Sequence, residues 1–167
     1  MKQKLLLALF LFANANVFFG QEKHTEKINI IENKGQWASD INYMAKIGGG
    51  NVWFQNNGFT FEFFNQDDLQ KVHLATHGKN APPEKLRQHA YSLNFLNANS
   101  NVKMKSNEKF DFYHNYYIGN DPSKWASKVK LFGEVVYDNL YNGIDVKVGT
   151  SNEGYFKYDF IVHAGAD

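Results

Sequence analysis

The 167-residue chain has no cysteine. That excludes a disulfide framework, a zinc-thiolate site and a cysteine nucleophile together, so stability has to come from packing. Charge of one sign is also lacking: 18 basic side chains stand against 17 acidic ones. No basic face calls for nucleic acid and no acidic run suggests a tail. After the first twenty residues there is no apolar stretch long enough to hold the product in a membrane. Catalytic signatures are missing too. There is no Gly-x-Ser-x-Gly, no His-Glu-x-x-His, no phosphate-binding glycine loop and no dinucleotide fingerprint, and Gly48-Gly49-Gly50 lacks the Lys-Ser/Thr that a phosphate loop needs. No cofactor is expected.

Residues 1–20 read as a secretory signal peptide. Lys2 and Lys4 form a basic head, Leu5 to Ala13 is an apolar run too short to span a bilayer, and small residues follow. Cleavage after Gly20 competes with cleavage after Ala15, and Gly20 is favoured because Val17-Phe18-Phe19 would otherwise begin the mature chain as an apolar tag. The expected address is therefore secreted or cell surface. Residues 21–167 are expected to form a single domain, which their number and the 43% hydrophobic content of the chain can support.

Glu134 to Val162 holds three period-two runs separated by two glycine-bearing turns, a β-meander pattern. Ile28 to Ile31 reads as a short strand, followed by a turn with Gly35 at a position that a larger residue would find strained, and Trp37 folds back onto the core. Ile41 to Ile47 alternates like a half-buried strand. Val52–Gln55 and Phe59–Phe64 flank Asn56-Asn57-Gly58, which predicts a hairpin. Asn65 to Ala90, with paired prolines at 82 and 83 and Gly78, reads as a long surface loop. Tyr91 to Leu96 resumes strand alternation, and Val102 to Lys105 is expected to be its short partner. Asp121 before Pro122 predicts a short helix over Asp121–Ala126, with Trp125 reaching the sheet. The fold class that follows is all-β, a mainly antiparallel β-sandwich with one short helix and a long loop. Tyr155 to Val162 then forms an edge that an earlier strand must cover, or else the chain is the front part of something longer.

Four groups of residues could carry chemistry. His73 and His77 have the spacing of two ligands on one helical face, but without a glutamate between them or an evident third ligand they read as solvated loop histidines. Asp121, Asp138, Asp145 and Asp159 could converge as a calcium site or as an acid/base pair, although helix-cap and turn roles suffice for Asp121 and Asp145. Aromatic residues make up 16% of the chain. Most are expected in the core, where large rings supply the buried area. Trp53, Tyr113, Tyr116 and Tyr117 are the candidates for an exposed platform that could stack on sugar rings.

Four phrases, in this order, point to a family: Glu32-Asn33-Lys34-Gly35-Gln36-Trp37, Tyr117 to Trp125, Asn139-Leu140-Tyr141-Asn142-Gly143-Ile144-Asp145, and Lys157 to Asp167. Together they resemble an uncharacterised N-terminal domain of large secreted Bacteroidetes proteins. In those proteins the domain precedes SBBP-type β-propeller repeats, immunoglobulin-like modules and a C-terminal sorting domain of the type IX secretion or gliding-motility kind. Asn142 stands where that family is expected to have proline, and the family continues past the Gly-Ala-Asp at 165–167. The resemblance implies a domain lacking its last strands and downstream modules, with those modules as its partners, and it supplies no catalytic residue. The expected function is a non-catalytic extracellular or cell-surface module with an adhesion, assembly or structural role. A glycan- or calcium-binding module is the alternative, other surface proteins are further possible partners, and a secreted hydrolase is a third reading.

Overall fold

The computed structural model describes residues 27–79 and 81–166. The expected signal peptide lies outside the described residues. In order, the elements are β1 (Ile30–Glu32), β2 (Ile41–Ile47), β3 (Gly50–Gln55), β4 (Gly58–Phe64), α1 (Gln66–Thr76), β5 (Gln88–Asn94), β6 (Lys103–Tyr116), β7 (Ala126–Tyr141), β8 (Ile144–Thr150) and β9 (Phe156–Val162). The strands form one antiparallel sheet in the order β5-β4-β3-β2-β1-β7-β8-β9, with β6 also paired to β7.

That extra pairing sets the shape. Phe132 of β7 lies between Lys109 of β6 and Ile30 of β1, while Val135 lies between Ser106 of β6 and Val148 of β8. Strands β1 and β8 therefore share one edge of β7, and they diverge at Gly133. A side chain at Gly133 would collide with the Glu108 carboxylate. Thr150 of β8 accepts a hydrogen bond from the Ile28 N–H at 2.8 Å, tying the two leaves where they part. From this branch the sheet curls into a half-barrel. The layers expected of a sandwich are thus the two leaves of one continuous sheet.

Adjacent residues of a strand face opposite sides, and this sequence uses both. Ile30, Ala45, Val52 and Phe54 enter the concave core with Phe59, Val135, Tyr137, Val146 and Val148. Their neighbours Ile31 and Met44 enter a second cluster with Val129 and Leu131, against which Trp37, Trp53, Phe110 and Tyr116 pack. Phe59 is the centre of the first cluster, with the rings of Phe54, Phe95, Tyr137 and Phe156 edge-on to it at 5.4 to 5.9 Å. Tyr137 is fully buried, and its hydroxyl donates to the Gly58 carbonyl at 3.3 Å. Burial pushes its phenol well above the ordinary tyrosine value.

The meander is β7, β8 and β9 as the glycine-bearing turns predict, and the Asn-Asn-Gly hairpin is β3 and β4. Gly35 has φ +103, a left-handed backbone suited to glycine. Three expectations need correction. The long loop Asn65–Ala90 is instead α1, a connection and the start of β5. Asn65 caps the helix by accepting from the Asp68 N–H at 3.2 Å, and Asp67 and Asp68 sit in its first turn, where the helix dipole favours acids. Asp68 also takes three bonds from Arg87, two from the guanidinium and one from the backbone N–H, so helix and strand are clamped across the connection that holds the prolines.

Val102 to Lys105 does not pair with the 91–96 strand. β5 pairs with β4, and Lys103 opens β6 opposite Asp138 of β7. The turn between them crosses the molecule, because the Phe95 N–H bonds Asn57 while the Asn99 N–H bonds Leu140. The helix expected at Asp121–Ala126 is a single 3-10 turn, Pro122–Lys124, capped by Asp121. Trp125 does not reach the core. It is exposed, donates its ring N–H to Gly119 at 3.2 Å and meets Tyr117 edge-on.

Candidate functional site

Between the outermost strands of the half-barrel, β5 and β9, the concave face lies open. Opposed residues of an antiparallel pair share a face, so Tyr158 and Phe160, opposite the buried Val148 and Val146, point to the concave side. Leu93 and Tyr91, opposite Phe59 and Phe61, do the same from β5. Phe156 is still packed against Phe54, Phe59 and Phe61 at 5.8 to 6.1 Å. Farther along β9 the cover fails: Tyr158 is 36% exposed, Phe160 51% and Val162 64%. On the other wall Tyr91 is stacked on Phe61 with ring centroids 5.0 Å apart and is 49% exposed, and Leu96 beyond it is 77% exposed. The result is an apolar trough walled by Tyr158, Phe160, Tyr91 and Leu96, with Phe59 and Phe95 buried beneath the Tyr158 and Phe160 rings. Scattered exposed apolar residues are ordinary, but a contiguous row along a free strand marks an interaction surface.

A second concavity, about 650 Å³, lies beside the 33–40 loop and is lined by Glu32, Asn33, Trp37, Asn42, Tyr43 and Asn56 among others. Asn33 builds its wall. Its amide nitrogen donates to the carbonyls of Trp37, Ala38 and Ile41, and its oxygen accepts from the N–H groups of Gly35 and Trp37. Asn42 donates to Asn56 at 2.9 Å, and Glu32 accepts from the Lys130 N–H at 2.8 Å. Rings and amides in one cleft are chemistry suited to a sugar. A smaller cleft of about 240 Å³ sits at the branch between Gly133 and Gly149, where Lys27 pairs Glu108, Lys147 pairs Glu134 and Lys157 pairs Asp159. Its charges cancel in pairs.

The four aspartates have separate partners, although Asp138 and Asp145 are near enough for Lys105 to act on both. Asp121 accepts from the hydroxyl and the N–H of Ser123, which hold its carboxyl below the usual range. Asp138 pairs Lys105 at 2.8 Å, and Asp159 pairs Lys157 at 3.0 Å. Asp145 accepts from the Asn139 N–H at 2.7 Å and from His163 at 2.9 Å, and these bonds likewise depress it. Among the described residues no three His, Asp or Glu side chains are grouped so as to hold a metal ion. His73 and His77 are neighbours, with ring centroids 4.7 Å apart at the exposed end of α1.

Of the aromatic candidates, Trp53 and Tyr116 meet the same ring, Trp37, at 5.4 and 5.5 Å, and both are half-buried. Trp53 donates its ring N–H to Glu62 at 3.1 Å, and burial raises the Tyr116 phenol. Tyr113 and Tyr117 are exposed and stand apart from that pair. Tyr113 falls out of a ring row along β6 made of Phe110, Phe112, His114 and Tyr116. Sequence reasoning missed the trough. Its signal was the alternating aromatic row of β9, legible as an uncovered edge but not as one wall of a groove whose other wall is β5.

Comparison with known proteins gives one match. The model of a domain of unknown function, DUF7948, matches residues 30–167. No curated protein and no solved structure matches the chain. The chain belongs to the DUF7948 family.

Proposed function

We propose, from the export signal read in residues 1–20 and the four ordered phrases, that the chain is a non-catalytic extracellular or cell-surface module of a larger secreted protein, serving adhesion, assembly or structure. The observation that carries this reading is the exposed apolar trough between β5 and β9. A surface of this kind has a use only when something packs on it. Its occupants would be downstream modules of the same polypeptide or other surface proteins. The basic head and apolar run of residues 1–20 support export, and the four ordered phrases support the arrangement of a leader domain before propeller repeats and a type IX sorting domain. No helix among the described residues is long and apolar enough to cross a membrane.

The test is the intact mass and domain content of the product exported by native cells. The reading expects an exported polypeptide well above the 19.2 kDa of this chain, with residues 1–20 removed. A product retained in the cytoplasm would overturn it. The 33–40 cleft favours a second reading, a glycan-binding module. In that case a glycan array gives binding that Trp37→Ala abolishes. Silence across the array removes this reading.

A further inference from the structure

Among the described residues the sheet has three edges without a neighbouring strand, and they differ in how they are guarded. Along β6 the register breaks twice, Glu108 is left-handed at φ +53, and Lys103, Lys105 and Lys109 line the strand. Along β5 the sequence is largely polar, with Gln88, His89, Ser92 and Asn94 exposed. Bulges, lysines and polar residues are the usual protection against edge pairing. β9 has no bulge, and its lysine, Lys157, is paired with Asp159 of the same strand at 3.0 Å. Its register with β8 runs unbroken from Phe156 to Val162, and its two charges, Lys157 and Asp159, are of opposite sign.

The outward-facing backbone groups follow from the ladder. His163 donates its N–H to the Gly143 carbonyl, so odd-numbered β9 residues are bonded to β8. Phe156, Tyr158, Phe160 and Val162 therefore point their N–H and C=O groups to the free edge. Around Tyr158 the sequence Tyr155-Phe156-Lys157-Tyr158-Asp159-Phe160-Ile161 reads alike in both directions by residue type, with the central charges reversed. Such a strand is complementary to itself.

We propose that β9 pairs antiparallel with β9 of a second copy of this chain about a two-fold axis at Tyr158. In that register Tyr158 faces Tyr158, Phe156 faces Phe160, and each Lys157 faces Asp159 of the other copy. Tyr155, 71% exposed, faces Ile161, and Val162 faces Gly154, which has no side chain to obstruct it. The pairs 156/160 and 158/158 are the hydrogen-bonded ones, so the outward N–H and C=O groups are met. The charged pairs fall at the closer, non-hydrogen-bonded positions, where opposite charges stabilise and like charges destabilise. Charge also selects the register. A two-fold axis at Lys157 or at Asp159 sets like charges face to face, and one at Phe160 leaves both charges without partners. The exposed rings of the β9 wall become a continuous aromatic floor through both copies. A two-fold interface of this sort closes on itself and does not grow into a fibre.

The inference rests on the assembly reading of the trough and names a second copy as the partner. Sedimentation velocity of the full chain at micromolar concentration tests it, with circular dichroism to confirm that every variant is folded. The wild type is expected as a dimer. Asp159→Lys and Lys157→Asp each put like charges face to face and weaken association about tenfold or more. The double variant K157D/D159K restores the cross-copy pairs and the dimer. A monomeric wild type, a dimer indifferent to the single reversals, or oligomers that grow without limit would each overturn the pairing. The assembly reading stands or falls separately, on the mass and domain content of the exported product.

Discussion

Asn33 commits its whole side chain to its own loop, five hydrogen bonds in all, and so fixes the segment that places Trp37 against Trp53 and Tyr116. Asn33→Ala leaves half-buried carbonyls and N–H groups without partners. It is expected to cost about 1–3 kcal/mol by urea denaturation. Asp68 is the buried charged residue among those described, and hydrogen bonds from Arg87 hold its carboxyl far below the ordinary 3.8. A folded-state value below the unfolded one means that the unfolded chain binds more protons. The stabilisation is present above the unfolded value and is lost as pH falls toward the folded one. Wild type is therefore expected to lose more stability than Asp68→Asn between about pH 5 and pH 2, read as denaturation midpoints across that range. With no three acidic or histidine side chains grouped among the described residues, a third expectation is that added calcium leaves the melting temperature unchanged. A rise would mean that oxygen ligands not grouped in this way assemble a site. Asp121 as a cap was legible in the sequence because capping is local. The Asp68–Arg87 clamp was not, because it joins residues on either side of a connection whose path only the fold determines.

At the scale of elements, hairpins were legible wherever glycine and asparagine separate alternating runs, as at Asn56-Asn57-Gly58 and Asn142-Gly143. Gly58 has a second role that composition does not reveal. A Cβ there would strike the Leu93 carbonyl oxygen of β5. Gly58→Ala is expected to loosen the β4–β5 pairing and destabilise by at least the ~1–3 kcal/mol typical of overpacking, seen as faster amide exchange in β5. Phe59, fully buried among four edge-on rings, is the core's centre, and Phe59→Ala is expected to cost about 3–5 kcal/mol. α1 was misread because the prolines and Gly78 outweighed a capping asparagine followed by two acids. That capping pattern was in the sequence and was the better guide. The partner of β6 was beyond local reading, since the strand that opens at Lys103 pairs across the molecule with β7.

For the whole molecule, the all-β, mainly antiparallel class followed from period-two alternation, which each strand declares for itself. Curvature did not, because it arises from one strand, β7, carrying β1 and β8 on the same edge with Gly133 between them. Nothing in a strand's own residues states how many neighbours it has. The trough is a consequence of that curl, and for the same reason only its β9 wall was visible beforehand. The central claim, that the β9 edge of this open face is where the protein assembles, is tested most directly by residue-resolved hydrogen exchange on β9, comparing the exported protein in its native assembly with the dilute isolated chain. In the isolated chain the amides of Lys157, Asp159 and Ile161, bonded to β8, exchange slowly, while those of Phe156, Tyr158, Phe160 and Val162 exchange fast. The account predicts that all become slow in the native assembly. Outward-facing amides that exchange as fast there as in the isolated chain would contradict it.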